Sequence, residues 1–590
     1  MPSLKINDIP VTVKDGATVL QAARRAGVRV PTMCYLENVQ CLGACRVCLV
    51  ENENDRRLIA ACSTPAVEGM SVLTHTRRVR DARRAVVELL LSEHEGDCQT
   101  CERSKNCELQ TLAYELGIRE QLYPGQTTHH HVDESTPGLK RDTGKCIKCR
   151  RCVSVCKEIQ NVGALFPQGR GFDGAIGPAF NEDLDTVACV QCGQCAAVCP
   201  VGAITERSHV DDVWRAIEDP NIFVVAQTAP AIRAALGEIF NYEPGTLVTG
   251  KMVSALRRIG FDAVFDTNFT ADLTILEEGN ELLRRLRQAM VDGHDGVLPM
   301  FTSCCPAWIR YMEYNHGDLL PNLSTCKSPQ QMFGAIAKTY YAKKIGRKPE
   351  ELFVVSLMPC TAKKSEMLRD GMDGSGVRDV DAVLTTREFG RMIREANIDF
   401  RSLPDDAMDA PLGLSSGAAD IFATTGGVME AALRTAYEVI TGRELPTEDL
   451  HVPQIAGLVG VKEAAITIKS ATTDWAFLEG QTMRVAVAHG LKNAETVIEA
   501  VKTGQRSYQF IEVMACPGGC IGGGGQPRFC TDEVRNARIE AIYREDEGKP
   551  LRKSHKNPDV AKLYEEFLGQ PLGEVSHHLL HTHYAPRRKI

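Results

Sequence analysis

The sequence has no uninterrupted apolar run of the length that crosses a membrane, which is about 20 residues for a helix. Its first residues, MPSLKINDIPVTV, contain no basic segment followed by an apolar one, so no secretory signal is recognised. It also has no excess of positive charge: the net charge is −8, which argues against a nucleic-acid binder. These absences predict a soluble, cytoplasmic protein that binds neither membrane nor nucleic acid.

A nucleotide-binding signature is also missing. No G-x-G-x-x-G follows a predicted strand and opens a helix, so we predict no nicotinamide or flavin site in this chain. The glycine run at residues 518–525 lacks the G-K-[ST] ending of a phosphate loop and contains cysteine. We interpret this run as backbone that approaches a bulky group closely, and residues 371–376, GMDGSG, as a surface loop.

Cysteine, by contrast, is abundant: there are 23, an odd number, in 590 residues. A disulfide scaffold is typically small, secreted and dense in cysteine, and this chain is none of these. Thiolates that bind metal are the alternative, and the spacing of the cysteines decides between the two. The length predicts about three to five domains.

Two copies of the motif C-x2-C-x2-C-x3-C occur, CIKCRRCVSVC and CVQCGQCAAVC. In bacterial ferredoxins three cysteines of each run bind one [4Fe–4S] cluster and the fourth binds the other. Zinc sites would not need four cysteines in each run. We therefore assign Cys146, Cys149, Cys152 and Cys199 to one cluster, and Cys189, Cys192, Cys195 and Cys156 to the other.

Two further cysteine groups precede these motifs. Residues 3–28 predict two strands and a helix, and the cysteines that follow indicate a [2Fe–2S] site. Its ligands are Cys45, Cys48, Cys62 and either Cys34 or Cys41, because Cys41-x3-Cys45-x2-Cys48 is one residue short of the plant-type spacing. The second group is His94, Cys98, Cys101 and Cys107. It predicts a [4Fe–4S] cluster, and spacing alone leaves open whether His94 is a ligand. Residues 121–144 are polar and predict a linker.

After about residue 215 the sequence predicts α/β structure, since strand-like runs such as FVVAQ and LFVVSL alternate with helical segments. Three cysteine motifs lie far apart in this region: TSCCPAW at 302–308, MPCTAKKSE at 358–366 and EVMACPGGCIGGGGQP at 512–527. One of Cys304 and Cys305, together with Cys360, Cys516 and Cys520, makes four thiolates. Adjacent side chains point in different directions, so the remaining thiol has a separate role.

These three motifs resemble those of the [FeFe]-hydrogenases, and the resemblance spans almost the whole chain. The order of the preceding sites is similar to that of the large clostridial monomeric type. The tail, LRKSHKNPDVAKLYEEFLGQPLGEVSHHLLHTHY, resembles a small subunit that is separate in periplasmic members. Most of all, the chain resembles the hydrogen-cleaving subunit of cytoplasmic NAD(P)-reducing complexes.

The resemblance implies an α/β multidomain fold. Its parts are an N-terminal β-grasp [2Fe–2S] ferredoxin-like domain (1–80), a small one-His/three-Cys [4Fe–4S] domain (81–120), a bacterial 2[4Fe–4S] ferredoxin-like domain (121–212), a large α/β H-cluster domain (213–535) and a C-terminal helical tail (536–590). The resemblance also favours Cys34 over Cys41 as the [2Fe–2S] ligand and makes His94 a cluster ligand.

The resemblance further implies an H-cluster, in which a [4Fe–4S] cubane is joined by one thiolate to a diiron centre with CO, CN⁻ and an azadithiolate. Cys305, Cys360, Cys516 and Cys520 would hold the cubane, with Cys520 bridging. The implied surroundings are Lys363 and the Ala229–Pro230 backbone at the cyanides, Met358 and Met514 packed nearby, and Gln330 and Phe422 lining the pocket. Ala231 replaces a serine of some relatives. Without the resemblance, Lys363 could equally be a surface lysine beside Lys364.

Heterolytic cleavage of H2 releases a proton that must cross the protein. The resemblance implies a relay through Cys304, Glu278, Ser324 and Glu281, with Arg285 near the exit. Glu278 and Glu281 lie three apart on a predicted helix and therefore on one face. Read alone, this acidic segment would be a solvated helix start.

The implied electron partners are a ferredoxin or NAD(P)-reducing flavin and iron–sulfur subunits, and maturation proteins would supply the diiron centre. The competing function is a non-catalytic electron-transfer subunit like the large iron–sulfur subunit of complex I, which explains residues 1–210 and leaves the later motifs without a role. Iron–sulfur assembly proteins lack the complete motif set, and a sensory hydrogenase would carry an added signalling domain, which we do not recognise.

Overall fold

The computed structural model describes residues 1–123, 130–293, 297–447 and 450–588. The chain divides into two compact units. The first comprises Met1–Glu158, Gly163–Val187 and Val198–Thr205, and the second comprises Ile159–Val162, Ala188–Ala197 and Glu206–Ile590. Within the described ranges, no helix is long and apolar enough to cross a membrane.

The first unit opens with a five-stranded sheet of order β2-β1-β5-β3-β4. Its elements are β1 Ser3–Ile6, β2 Ile9–Thr12, α1 Val19–Arg25, β3 Leu49–Asn52, β4 Arg57–Ala60 and β5 Ser71–Leu73. β1 pairs antiparallel with β2 and parallel with β5. The strand pair and helix predicted for residues 3–28 are therefore confirmed. Thr18 caps α1 by accepting a hydrogen bond from the Gln21 N–H, which satisfies a free donor of the first turn.

The rest of this unit consists of short elements around cysteine loops. They are α2 Arg77–Ser92, α3 Glu108–Glu115, β6 Val132–Asp133, β7 Leu139–Asp142, α4 Arg151–Ser154, β8 Phe166–Gln168, β9 Ala175–Gly177 and β10 Ile204–Glu206. The helix α5 Gln194–Val198 precedes β10 and lies almost entirely in the second unit. β7 lies between β6 and β10 in a sheet. The linker predicted for 121–144 is thus wrong at β6 and β7, and residues 124–129 lie outside the described residues.

The second unit is built on two four-stranded sheets. Its elements are α6 Val210–Glu218, β11 Phe223–Thr228, α7 Pro230–Arg233, α8 Thr249–Ile259, β12 Ala263–Asp266, α9 Thr267–Met290, β13 Met300–Phe301, α10 Pro306–Asn315, α11 Pro329–Ile336, α12 Ala342–Lys344, β14 Leu352–Met358, α13 Ala362–Glu366, β15 Ala382–Thr385, α14 Thr386–Glu395, α15 Gly417–Asp420, α16 Gly427–Thr441, β16 Val461–Thr467, β17 Thr482–His489, α17 Leu491–Lys502 and β18 Phe510–Met514.

One sheet has the order β12-β11-β14-β15 and is parallel throughout. The other has the order β13-β18-β17-β16, in which β16 runs antiparallel to β17. β11 and β18 are buried along almost their whole length. Strands of parallel sheets are covered on both faces, which explains why most residues of β11 and β18 are apolar.

The loops that carry the late cysteine motifs follow the carboxyl ends of these strands. β14 ends at Met358, two residues before Cys360, and β18 ends at Met514, two residues before Cys516. In open α/β sheets, ligands bind beyond the carboxyl ends of the strands. The two sheets thereby bring segments far apart in the sequence to one place.

The C-terminal tail contains α18 Asp532–Gly548, α19 Pro558–Leu563 and α20 Glu574–Leu580. After α20 the chain runs beside residues 325–327, where the Lys327 N–H donates to the Leu580 carbonyl and the Thr582 N–H donates to the Thr325 carbonyl, both at 2.7 Å. Tail residues such as Leu563 and Leu580 are also buried in the hydrophobic core of the second unit.

Candidate metal centre

One cavity of the second unit gathers the residues of all three late cysteine motifs. Its lining includes Ala229, Pro230, Cys304, Cys305, Gln330, Met358, Cys360, Lys363, Phe422, Met514, Cys516 and Cys520. Every residue that the family resemblance placed at the cubane, at the cyanides or in the surrounding pocket thus lines the same cavity. The neutral and apolar character of most of this lining gives a site of low polarity.

The thiol set of the cavity fits an iron–sulfur cluster. All its cysteines are unpaired, and burial raises the pKa of the Cys360 thiol to about 12. Such thiols become thiolates when a metal supplies the positive charge. Backbone donors are already in place, because the Ala515 N–H donates to Cys305 Sγ at 3.5 Å. Burial raises the pKa of Cys516, and hydrogen bonding by the Gly524 backbone offsets this only in part.

Gly519 fixes the loop between Cys516 and Cys520. Its φ is +93°, and a Cβ there would lie 2.7 Å from the Thr425 backbone nitrogen and 2.8 Å from Met514 Sδ. The carbonyl of the preceding residue, Gly518, accepts a hydrogen bond from the Thr425 N–H at 3.0 Å. A side chain at position 519 would therefore displace the loop that presents both thiols.

Lys363 lies inside this site and not on the surface. Its Nζ donates to the Cys304 carbonyl at 3.0 Å and to Glu366 at 2.8 Å. The neighbouring Lys364 is fully buried and pairs with Glu388. The interpretation of Lys363 as a surface lysine is thus wrong. Glu366 was not predicted from the sequence, although its spacing of three residues from Lys363 on a helix was a signal.

Cys304 differs from Cys305 in its surroundings. Burial and the nearby negative charge of Glu278 both raise the pKa of the Cys304 thiol well above its usual value. Cys305 is the residue that receives the Ala515 N–H. The two adjacent thiols thus face different partners, as their adjacency predicted.

Glu278 and Glu281 lie in the middle of α9, with 3% and 1% of their surface exposed. Their interpretation as a solvated helix start is therefore wrong. Burial raises the pKa of Glu278 to about 8, although hydrogen bonding by Ser324 lowers it in part. Ser324 Oγ donates to Glu281 Oε2 at 3.1 Å. Ser324 thus lies between the two carboxyl groups.

Arg285 holds the far side of Glu281. Its Nη2 donates to Glu281 Oε1 at 2.6 Å and to the Leu323 carbonyl at 2.8 Å. Its Nη1 donates to the carbonyls of Val297 and Pro321. The guanidinium is thus fixed by backbone oxygens and orients the carboxylate of Glu281.

In the first unit, the thiols of Cys34, Cys45, Cys48 and Cys62 are hydrogen-bonded to one another. Cys41 is exposed and its thiol donates to the Cys62 carbonyl at 3.0 Å. The quartet with Cys34, and not Cys41, is the one whose thiols converge, and four convergent thiols fit a [2Fe–2S] cluster.

One small cavity of the first unit is lined by Cys146, Cys149, Cys152 and Cys199. The fourth thiol comes from the other copy of the motif, in the arrangement that the crossed ligand assignment requires. Cys156 lies in the first unit, whereas Cys189, Cys192 and Cys195 lie in the second.

His94 contacts the backbone through one ring nitrogen, Nδ1, and its other ring nitrogen, Nε2, points away from this contact. Its Nδ1 lies 3.1 Å from the Lys145 carbonyl, and a donated Nδ1 proton leaves Nε2 with a lone pair. Burial lowers the pKa of His94 and keeps the ring neutral. Gly202 leaves space for Cys101, since a Cβ there would be 2.8 Å from its Sγ. Cys98 and Cys107 are both half-buried.

Comparison with protein families covers nearly the whole chain. Residues 222–524 match the iron-only hydrogenase large subunit, C-terminal domain, and 532–587 match the iron hydrogenase small subunit. Residues 2–77 match a 2Fe-2S iron-sulfur cluster binding domain. Residues 83–121 match the NADH-ubiquinone oxidoreductase-G iron-sulfur binding region, and 145–203 match a 4Fe-4S dicluster domain.

Individual proteins are similar over comparable lengths. NADP-reducing hydrogenase subunit HndD of Solidesulfovibrio fructosivorans is 49% identical over 100% of both chains. Iron hydrogenase 1 of Clostridium pasteurianum is 39% identical over 99% of this chain and 100% of its own. The solved structure of apo [FeFe]-hydrogenase HydA1 from Chlamydomonas reinhardtii is 44% identical, with a TM-score of 0.58, over 64% of this chain and 99% of that one.

Proposed function

Because this chain belongs to the iron-only hydrogenase family, we propose that it is the hydrogen-cleaving subunit of a complex that reduces NAD(P). Its own activity is the reversible oxidation of H2 to protons and electrons, with electron transfer through [2Fe–2S] and [4Fe–4S] clusters. The observation that carries the proposal is the single cavity lined by Cys305, Cys360, Cys516 and Cys520, with the free thiol Cys304 beside them.

When bound, the H-cluster supplies the metal centre at which H2 is cleaved heterolytically. Cys305, Cys360, Cys516 and Cys520 would hold it through four thiolates, the number that a cubane requires. We assign Lys363 to the anionic ligands, because its buried ammonium group already lines this cavity. Glu366 and the Cys304 carbonyl keep that group in place.

The protein's own residues move the proton. Cys304 is the first acceptor, because its thiol lines the cavity and Glu278 lies close enough to influence its pKa. Glu278 has a pKa near 8, so it can hold or release a proton near neutral pH. Ser324 and Glu281 continue the chain of hydrogen bonds, and Arg285 fixes Glu281.

The electrons leave through the accessory clusters. We assign their ligands as Cys34, Cys45, Cys48 and Cys62; His94, Cys98, Cys101 and Cys107; Cys146, Cys149, Cys152 and Cys199; and Cys189, Cys192, Cys195 and Cys156. The relative named as an NADP-reducing subunit is similar over its full length, which supports a nicotinamide-reducing partner over a ferredoxin. We place the complex in the cytoplasm, because the chain is similar over its full length to an NADP-reducing subunit. Maturation proteins would insert the diiron centre.

The proposal that another subunit reduces NAD(P) is tested with the chain purified away from any other subunit. The purified, matured chain should reduce a viologen dye with H2 and form no NADPH, because no nucleotide signature is recognised in its sequence. Adding the flavin-containing subunits of its complex should restore NADPH formation. NADPH produced by the isolated chain would contradict the proposed division of labour.

A further inference from the structure

The C-terminal tail contacts α9 at a third acidic residue that neither the cluster pocket nor the relay uses. Glu277 is fully buried and its carboxylate accepts three hydrogen bonds, all from the tail. The donors are Tyr564 Oη, the Leu572 N–H at 2.8 Å and His581 Nε2 at 3.1 Å. Three donors stabilise the negative charge of a buried carboxylate.

His581 connects this carboxylate to the relay. Its Nδ1 lies 2.8 Å from Thr325 Oγ1, and Thr325 Oγ1 lies 3.1 Å from Glu281 Oε2. The ring is buried, with 1% of its side chain exposed. An unbroken series of hydrogen-bonding atoms therefore runs from Glu281 through Thr325 to both nitrogens of His581.

We propose that Thr325 and His581 form a second branch of the proton relay, which leaves Glu281 toward the C-terminal tail. The proposal rests on the relay proposed above. The hydroxyl of Thr325 can accept and donate at once, and the two ring nitrogens of an imidazole can take up a proton on one side and give one up on the other.

In this transfer, each proton that an atom gives up is received by the next atom in the series. Protonated Glu281 donates to Thr325 Oγ1, and the hydroxyl proton of Thr325 passes to His581 Nδ1. Glu281 becomes a carboxylate, the threonine hydroxyl is regenerated with its proton toward Glu281, and the ring becomes an imidazolium. Glu277 stabilises that positive charge at Nε2. Nε2 lies 3.1 Å from Glu277 Oε2, so its proton can pass to that carboxylate, which leaves the ring neutral with one proton on Nδ1.

His577 covers the ring of His581 at the surface. Its exposed side chain stacks on His581, with ring centroids 4.9 Å apart and planes 4° from parallel. The groups that face the two rings are Glu277, Glu281 and Arg284 on α9, Thr325 and Cys326 on the adjoining segment, and Tyr564 in the tail. Two carboxyl groups on α9 thus draw positive charge toward the rings.

The test compares Thr325→Val and His581→Gln with the wild-type enzyme, all as matured full-length chains. Both variants keep the approximate shape of the side chain but cannot pass the proton. We expect H2 oxidation to fall about three- to tenfold. This is less than the effect of a full general acid or base, because the exit of the relay near Arg285 remains. The pH profile should change, and the solvent deuterium isotope effect should increase.

Three controls separate proton transfer from structural support. Thr325→Ser should retain the wild-type rate, and added imidazole should restore turnover to His581→Ala. Tyr564→Phe removes a hydrogen bond to Glu277 without interrupting the branch, so its pH profile should stay that of the wild type. The infrared bands of CO and CN⁻ should be unchanged in every variant.

Glu281→Gln distinguishes this branch from the relay itself. Loss of turnover in Glu281→Gln, with the wild-type rate and pH profile in both Thr325→Val and His581→Gln, would refute the branch alone. Wild-type turnover in Glu281→Gln would refute the whole relay.

Discussion

Cys304 and Cys305 are neighbours in the chain but meet different partners. Cys305 Sγ receives the Ala515 N–H, whereas Cys304 lies near the carboxyl group of Glu278. A thiolate ligand needs hydrogen-bond donors, and a proton carrier needs a proton acceptor nearby. The difference between these two residues thus separates metal binding from proton transfer.

Cys304→Ala should therefore keep the metal centre and nearly abolish turnover. Loss of a positioned proton carrier costs about 10²- to 10⁴-fold in rate. Infrared spectra and the H2 oxidation rate of the matured variant measure the two effects separately. Cys530→Ala is the control, because this half-buried thiol contacts Arg538 and lies outside the site. Full activity of Cys304→Ala would contradict the assigned role.

Glu278 should make stability depend on pH. Its folded-state pKa is about 8 against an ordinary value of 4.5, so the folded protein binds this proton more tightly than the unfolded chain. Stability is therefore lost as pH rises from 4.5 through 8. Relative to Glu278→Gln, the wild type should lose about 2–3 kcal/mol between pH 6 and pH 9.

Anaerobic calorimetry of the matured proteins at both pH values measures this difference as a shift in Tm. Glu218→Gln, at an exposed position on α6, should show no comparable trend. An equal pH dependence of Tm in wild type and Glu278→Gln would contradict the raised pKa.

Cysteine spacing predicts much of the site, because a cluster requires thiolates at short, fixed separations. Which charged residues are buried is harder to predict from the sequence. The segment LEEGNELLRRL looks amphipathic and solvated, yet Glu277, Glu278 and Glu281 are buried. The partners of Glu277 include Tyr564 and His581, which lie 287 and 304 residues away along the chain. No local pattern encodes such contacts, so only the family resemblance pointed to Glu278 and Glu281, and nothing pointed to Glu277.

At the scale of elements, the site depends on loops at the carboxyl ends of parallel strands. The alternation of apolar strands and helices predicted this α/β layout, because buried parallel strands need continuous apolar runs. Which loops converge depends on strand order, and β11 pairs with both β12 and β14. Strand order arises from contacts distant in the sequence, so it could not be derived from periodicity.

The loop between Cys516 and Cys520 offers a test at this scale. Gly519→Ala should reduce the iron content of the matured protein and weaken the CO and CN⁻ infrared bands. The reason is that the new Cβ would collide with the Thr425 backbone. With φ +93° and ψ −156°, Gly519 adopts a conformation that is essentially restricted to glycine, and another residue there adds about 1–3 kcal/mol of strain.

Gly548→Ala is the matched control for this change. Gly548 ends α18, and a Cβ there meets no atom within 4 Å. This variant should bind as much iron as the wild type. Normal iron content in Gly519→Ala would show that the loop tolerates a side chain and that Gly519 is not required to present the two thiols.

At the scale of the whole molecule, one chain combines an H2-cleaving unit with iron–sulfur domains that transfer electrons. The sequence order of these domains was recognisable, because each cluster type has its own cysteine spacing. The division of the chain into two compact units was harder to recognise from the sequence. Cys189, Cys192 and Cys195 belong to the second unit, although the sequence places them in a ferredoxin-like segment.

Electrons from H2, released at the cavity of Cys305, Cys360, Cys516 and Cys520, should reach the accessory clusters of the same chain. Electron paramagnetic resonance of the matured protein under H2, with no other reductant, tests this transfer directly. We predict the signal of a reduced [2Fe–2S] cluster in the wild type and its absence in Cys516→Ala, which keeps all accessory ligands. No signal in the wild type, or an equal signal in Cys516→Ala, would contradict H2 cleavage at this cavity as the source of the electrons.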